Sequence, residues 1–353
     1  MARNVPAPFL DLEESWSRLS AETATPMETL DWAVSCSLAF GDPTNVAVIA
    51  VQEGPKLLAA APMIRVGNGW NSRLEHAGTR QHHEPNDLLA IDLAAMTQLA
   101  RALRKSGMPL VLGRLPAESP AIETIKSAYR GRGVVRQRQQ ARYPYIPLGA
   151  HWEEPEQNLS KRRRSDIRRA RRHASRFGAV SVRIFCPGIS KVDEVVERAM
   201  SVEAKSWKGD RGSAMANDKQ VGDLFLHYAR RAARSGYLRV GFLQIGDDVA
   251  AMQIGVVHAG RFWVLKVGYD PAYGKASPGI LLMIEAIKYA VAHGLETYEL
   301  LGSVADWTRV WTEHERESVS LRVYPSNVRG AVTLTGDALR KVANGLWRSR
   351  GGS

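Results

Sequence analysis

The chain has 353 residues, 44% hydrophobic and 24% charged, with a net charge of +12. That length suits two ordinary globular domains, and the composition excludes collagen-like, disulfide-scaffold and disordered classes. No apolar run is long enough to span a bilayer, and Cys36 and Cys186 stand too far apart to suggest a metal or redox motif. Residues 161–176 hold nine Lys or Arg and one Asp, so eight of the twelve net positive charges belong to one segment. Any electrostatic function is expected there. The opening residues Met1 to Pro6 lack an apolar stretch, so the expectation is a cytoplasmic protein without signal peptide or disulfides.

In chain order, a helix is predicted over Pro26–Phe40, with Leu30, Val34 and Leu38 on one stripe. Strands follow at Val46–Val51 and Leu57–Arg65, paired across Gly54-Pro55. Leu93–Lys105 reads as a helix ending at Gly107, Leu110–Leu112 as a buried strand, Ala121–Tyr129 as a helix and Val134–Ile146 as mostly strand. The Pro-rich stretch 144–155 marks a domain boundary. Beyond it come a helix over about Pro155–Phe177, a strand Val180–Phe185, and helices Val192–Trp207 and Lys219–Ser235. Three strands, Leu238–Ile245, Val249–His258 and Arg261–Tyr269, are joined by tight turns. A helix Ser277–His293, strands Thr297–Leu301 and Glu317–Tyr324, and a helix over about Val328–Trp347 complete the pattern. The fold class is α/β with mixed sheets. The expected division is 1–150, 151–326 and a helical tail 327–353.

Tyr269 to Leu282 is the most informative stretch. It reads as a strand exit, a glycine-bearing loop and the first turn of a helix. Ser277 suits an N-cap, Pro278 the first helical position, and Gly279 adds no Cβ against an approaching ligand. The amides of Gly279, Ile280 and Leu281, with Lys275 beside them, suit a phosphate or carboxylate. A well-capped helix alone would give the same motif.

The basic segment Lys161–His173 has a narrow apolar stripe at Leu159, Ile167, Ala170, Ala174 and Phe177. Its guanidinium groups fit RNA such as tRNA, an acidic membrane surface, coenzyme A with an anionic substrate, or simply a solvated face. His82-His83-Glu84 is not read as a metal site, because adjacent side chains do not converge and no further ligand spacing exists. No Gly-x-Ser-x-Gly elbow supports serine hydrolysis.

Several motifs in order carry a family resemblance. They are Leu159-Ser-Lys-Arg162, Glu203-Ala-Lys-Ser-Trp207, Val249-Ala-Ala-Met-Gln253, Tyr269-Asp-Pro-Ala-Tyr273, Ser277-Pro-Gly279 and Leu300-Leu-Gly302 through Trp311. Over residues 158–311 the chain resembles the GNAT-type acyltransferases of the BioF2-like family, which includes proteins labelled CelD or BcsL cellulose-biosynthesis acyltransferases. The resemblance implies a second, degenerate GNAT-like unit in front, an arrangement similar to the Fem aminoacyl transferases. It implies acetyl-CoA or another acyl-CoA as co-substrate, its pyrophosphate at Lys275, Ser277, Gly279, Ile280 and Leu281, and no metal. The acceptor would be an amine or hydroxyl of a small molecule or saccharide, in exopolysaccharide metabolism among other settings. A Fem-like transferase using aminoacyl-tRNA, and a non-catalytic binding protein on the same fold, are the alternatives.

Acyl transfer needs a base for the acceptor and an acid for the departing thiolate. Asp270 and Glu299 are the candidate bases, and Tyr269 or Tyr273 the candidate acids. Gln253 and Lys266 interrupt apolar strands and are candidate substrate contacts, with Trp207, Trp307 and Trp311 as candidate pocket walls. Relatives carry Tyr-Lys-x-x-Trp where this chain has Trp307-Thr-Arg-Val-Trp311, so Thr308 stands in place of a lysine.

Overall fold

A computed structural model describes residues 6–23, 25–42, 44–78, 84–206 and 218–350. These form two compact units, one from the described residues of 1–23, 27–140 and 317–353, the other from those of 24–26 and 141–316.

The first unit holds α1 (Glu13–Leu19), α2 (Leu30–Phe40), β1 (Val46–Glu53), β2 (Lys56–Val66), β3 (Arg73–His76), β4 (Leu89–Ala90), α3 (Leu93–Lys105), β5 (Leu110–Pro116), α4 (Pro120–Tyr129) and β6 (Gly133–Gln139). The late strand β14 (Ser318–Pro325) and helix α10 (Val328–Arg350) complete it. Its sheet runs β1-β2-β3-β5-β14-β6, with β4 on β2. β3 and β5 are parallel at Leu74–Leu110 and Glu75–Val111. Leu99, Leu103, Leu112, Ile125 and Leu321 are fully buried in its core. Asp92 caps α3 by accepting from the Ala95 amide at 2.7 Å. A Cβ at Gly330 would lie 1.8 Å from the Pro325 carbonyl, so glycine lets α10 lie against the end of β14.

The second unit holds β7 (Tyr143–Pro147), α5 (Lys161–Phe177), β8 (Val180–Phe185), α6 (Val192–Lys205), α7 (Lys219–Arg234), β9 (Leu238–Ile245), β10 (Asp248–His258) and β11 (Arg261–Tyr269). Then come α8 (Pro278–Ala292), β12 (Thr297–Glu299), α9 (Asp306–Arg309) and β13 (Glu315–Arg316). Its sheet runs β13-β7-β12-β11-β10-β9-β8. Helix α8 lies on one face, over a core that includes Leu243, Phe262, Ile284, Ile287 and Tyr298.

Three sequence expectations change. The single stretch 134–146 is two strands in different sheets: the Gln140 amide bonds the Ser318 carbonyl, whereas that of Tyr145 bonds His314. The strand expected near 317–324 lies between β5 and β6 in the first sheet, and the helix after it packs in the same unit. The helix expected from Pro155 begins at Lys161, because the Ser160 hydroxyl accepts from the Arg163 amide and a separate short turn covers Pro155–Asn158.

Candidate active site

Strand β11 shapes the site in two ways. It pairs antiparallel with β10, but Ile254 faces Lys266 and Gly255 faces Val264, so Leu265 is an extra residue that bulges the strand. On its other side β11 runs parallel to β12 for only three pairs, Arg261–Thr297 to Trp263–Glu299. β12 then stops, and Leu301 takes a positive φ of 55°. From Val264 to Tyr269 the β12-facing edge of β11 has no strand partner among the described residues. Beyond Trp263 and Glu299 the two parallel strands therefore diverge and leave a wedge between them.

The chain leaves β11 through Asp270, turns over Pro271–Ala276 and enters α8. Asp270 starts that turn by accepting from the Ala272 amide at 3.0 Å, and its other carboxylate oxygen lies 3.1 Å from the Lys205 ammonium. Ser277 departs from the expected N-cap. Its backbone is left-handed, at φ 44° and ψ 51°, and its hydroxyl caps nothing. Such a conformation costs a non-glycine residue about 1–3 kcal/mol, and it directly precedes a proline. The Ser277 carbonyl accepts from the amides of Ile280, at 3.0 Å, and Leu281, at 3.2 Å. Because Pro278 has no N–H, Gly279 supplies the one first-turn amide without a backbone acceptor among the described residues.

Gly279 is exposed, and a Cβ there would meet only the Tyr269 ring, at 3.8 Å. The protein itself therefore does not require glycine at this position. Lys275 is exposed beside it, Ile280 half-buried, and Leu281 buried in the core. These features fit an anionic group carried on an extended chain: a free amide, an adjacent ammonium and open room. The wedge along β11 can receive the rest of such a chain.

The other candidates separate. Glu299 is completely buried, and both its oxygens are held by Arg316, at 2.6 and 3.0 Å, with the Thr297 hydroxyl donating at 2.8 Å. Burial opposes the charge on Arg316, but the Glu299 carboxylate outweighs it and raises the guanidinium pKa. Arg316 also stacks over Tyr145, 4.0 Å from the ring centre, tying β13, β7 and β12 together. Gln253 is buried and accepts from the Tyr298 hydroxyl at 2.8 Å, while Tyr298 stacks on Phe262. Burial pushes the Tyr298 hydroxyl pKa up, so it stays a neutral donor. Lys266 lies on the opposite face of the sheet, its ammonium 4.9 Å from the centre of the Phe225 ring of α7. Gln253 and Lys266 therefore do not meet.

Trp311 is a core residue and Trp307 is exposed. Thr308 is fully buried between them; its hydroxyl donates to the Ala305 carbonyl at 2.8 Å and accepts from the Ala305 amide at 3.0 Å. Thr308, the position at which the sequence resemblance implies a lysine, here caps a short helix. Tyr273 donates to Asp248 at 2.6 Å, a bond that raises its pKa, and its ring meets Phe177 at the end of α5. The basic helix thus packs beside the loop that enters α8. Along it, Asp166 pairs with Arg169 and Glu156 with Arg171, while Arg162, Arg163, Arg168, Arg172 and Arg176 are exposed.

Sequence reading missed Arg316, Lys205 and the placement of Glu203. Glu203, in the last turn of α6, is fully buried against Gly268, where any Cβ would come within 2.8 Å of the Glu203 Cα. The first two arise from partners distant in sequence. Glu203 could have been noticed as an acidic residue in a helix turn that also holds Val202. Trp207, His82 and His83 lie outside the described residues. Among the described residues no group of three or more His, Cys, Asp or Glu side chains could hold a metal ion.

Comparison with known proteins places this geometry. Residues 161–309 match the family model described as acetyltransferase (GNAT) domain. No curated protein matches the chain. Among solved structures, FemX superposes with a TM-score of 0.62 at 11% identity, covering 90% of this chain and 96% of that one. A conserved protein of unknown function from Bacteroides thetaiotaomicron gives 0.58 at 10% identity, covering 88% and 96%. The C-terminal domain described as that of a lysylphosphatidylglycerol synthetase from Agrobacterium fabrum gives 0.55 at 10% identity, covering 92% and 95%. At these identities the likeness is one of fold. It extends over both units, and the family match lies within the second.

Proposed function

We propose that the second unit is an acyl-CoA-dependent acyltransferase of the GNAT type, acting on an amine or hydroxyl of a small molecule or saccharide. The observation that carries this reading is the wedge after Trp263 and Glu299, with the Gly279 amide and Lys275 at its mouth. The domain match over 161–309 supports the same class. The motif order of residues 158–311 makes the BioF2-like group, with its CelD and BcsL members, the favoured branch. In this reading the Gly279 amide and Lys275 hold the pyrophosphate, Ser277 sets the strained turn that presents them while its carbonyl engages the Ile280 and Leu281 amides expected from the sequence to share that role, and the wedge between β11 and β12 receives the pantetheine arm. When bound, the thioester supplies an activated acyl carbon.

The chain's residues divide the remaining work. Asp270 is the carboxylate at the strand exit, its side chain partly exposed, and it takes the proton of the acceptor, with Lys205 fixing its direction. Glu299 is committed to Arg316 and serves to hold β12 where the wedge opens. Tyr269, half-buried against the first turn of α8, is the proton donor for the departing thiolate. Replacing Asp270 by Asn is expected to lower kcat by about 10²–10⁴-fold with little change in acyl-CoA affinity. Release of free thiol from acetyl-CoA, measured against panels of sugar amines, alcohols and metabolite amines, tests the reading. No thiol release with any acceptor, by a protein that binds acyl-CoA, would instead favour a binding protein.

A second reading rests on α5. Five of its arginines are exposed with no acidic partner among the described residues; they suit a nucleic-acid backbone and would fit a Fem-like, aminoacyl-tRNA-dependent transferase. Salt-dependent tRNA binding that is lost when Arg162, Arg163 and Arg164 become Ala would support it. No tRNA binding at low salt would remove it.

A further inference from the structure

The basic helix α5 ends beside the candidate site. Its last residue, Phe177, is 54% exposed, although it continues the apolar stripe on which Ile167, Ala170 and Ala174 are buried. The Phe177 ring meets that of Tyr273 edge to face, with centres 5.5 Å apart and planes at 73°. Tyr273 is pinned in turn, because its hydroxyl donates to Asp248 at 2.6 Å. It belongs to the tight helical turn Pro271–Ala276, which rises about 2 Å per residue and so places Tyr273 about 8 Å before Ser277 and the start of α8. An exposed aromatic ring is thus braced a short distance from the Gly279 amide.

Cations flank the ring. Arg176 adjoins it and Arg172 stands one helical turn earlier; both are exposed, and neither makes an ion pair among the described residues. Lys275 is exposed two residues beyond Tyr273. Like charges four residues apart weaken a helix, so the fold gains nothing from Arg172 and Arg176 together. A ring that can stack, with guanidinium groups beside it, suits a purine base that carries a phosphate. A membrane surface fits less well, since the apolar side of α5 is already buried in the core. An RNA end and the nucleotide of coenzyme A share the purine and phosphate chemistry, and the placement favours the second. In coenzyme A a single ribose links the pyrophosphate to the adenine and carries the 3′-phosphate, which matches a ring and cations just before the helix start that would take the pyrophosphate. Resting on the acyltransferase reading above, we infer that Phe177 stacks on the adenine of the acyl-CoA and that Arg176, backed by Arg172, binds its 3′-phosphate. The chain then selects the full nucleotide over a bare phosphopantetheine arm.

Titration calorimetry of the full chain with acetyl-CoA, its 3′-dephospho form and acetyl-phosphopantetheine tests this. Acetyl-CoA should bind about tenfold tighter than the dephospho form. Arg176→Ala should erase that difference while leaving the dephospho form unaffected. Phe177→Ala should weaken both nucleotides about tenfold and leave acetyl-phosphopantetheine unchanged. Both side chains are exposed, so neither substitution should alter the circular dichroism spectrum. Lys161→Ala, about 24 Å from Phe177 at the other end of the helix, should change none of these affinities. If acetyl-phosphopantetheine binds and the nucleotide adds nothing, the inference falls while the acyltransferase reading stands. If no donor binds, that reading falls and takes the inference with it. Equal losses from Lys161→Ala and Arg176→Ala, or tRNA binding that requires Phe177 and Arg176, would mean a general polyanion surface and would also overturn it.

Discussion

Gly279 is the residue at which fold and proposed function make opposite demands. Its surroundings would accept a methyl group, and the first turn of a helix ordinarily gains from one. Gly279→Ala should therefore leave the melting temperature unchanged or raise it, with a gain of about 0.5–1 kcal/mol, yet weaken acyl-CoA binding. A variant that loses stability, or that binds as tightly as the parent, would show that the glycine serves neither purpose. Glu299 poses the converse case. Its carboxylate is fully buried and held by Arg316, so Arg316→Met leaves a charge in the core with only Thr297 beside it. Thermal denaturation should show a loss of about 3–5 kcal/mol. A loss below about 1 kcal/mol would mean that the pair does not hold β12 in place. The start of a helix at Pro278 was legible from residue types and their order. The left-handed backbone of Ser277 was not, because a serine before Pro-Gly reads as an ordinary cap.

At the scale of elements, local patterns carried most of the information. Leu93–Lys105 and Val180–Phe185 have the boundaries that periodicity and capping predict. The failures occur where tertiary pairing decides. Residues 134–146 form one β-prone run, but the chain changes sheets within it, and only the distant partners Ser318 and His314 reveal where. The shortness of β12 is similarly invisible, since Leu300 and Leu301 continue an apolar run while the backbone turns away. That shortness creates the wedge. His76, which ends β3, is buried with neither ring nitrogen hydrogen-bonded among the described residues, and burial lowers its pKa to about 4. Asp87, which accepts from Ser119 and the Leu88 amide, is pushed up to about 6 by burial.

For the whole molecule those two groups act against each other. The His76 contribution is intact above its ordinary value of 6.5 and is lost as pH falls to about 4, because the unfolded chain takes the proton first. Asp87 does the reverse. The folded state binds its proton more readily, so that contribution is present at low pH and is lost as pH rises from 3.8 to about 6. Each shift corresponds to about 3 kcal/mol, so within the shared window they largely cancel. Denaturant titrations of Asp87→Asn should show stability falling as pH drops from 6 to 4, and those of His76→Asn should show it rising. Two parallel curves would contradict both assignments. Two α/β units were readable from length and element order, but their membership was not. β14 joins the first sheet because its hydrogen bonds go to β5 and β6, and sequence adjacency carries no trace of that pairing.

The central claim is that the wedge beside β11 and the first turn of α8 receive an acyl-CoA. Isothermal titration of the full chain with acetyl-CoA and longer acyl-CoAs measures it directly. The account predicts saturable binding of one molecule per chain, weakened by Lys275→Ala and by Gly279→Ala. Absence of heat with every acyl-CoA, or binding that ignores both substitutions, would contradict it.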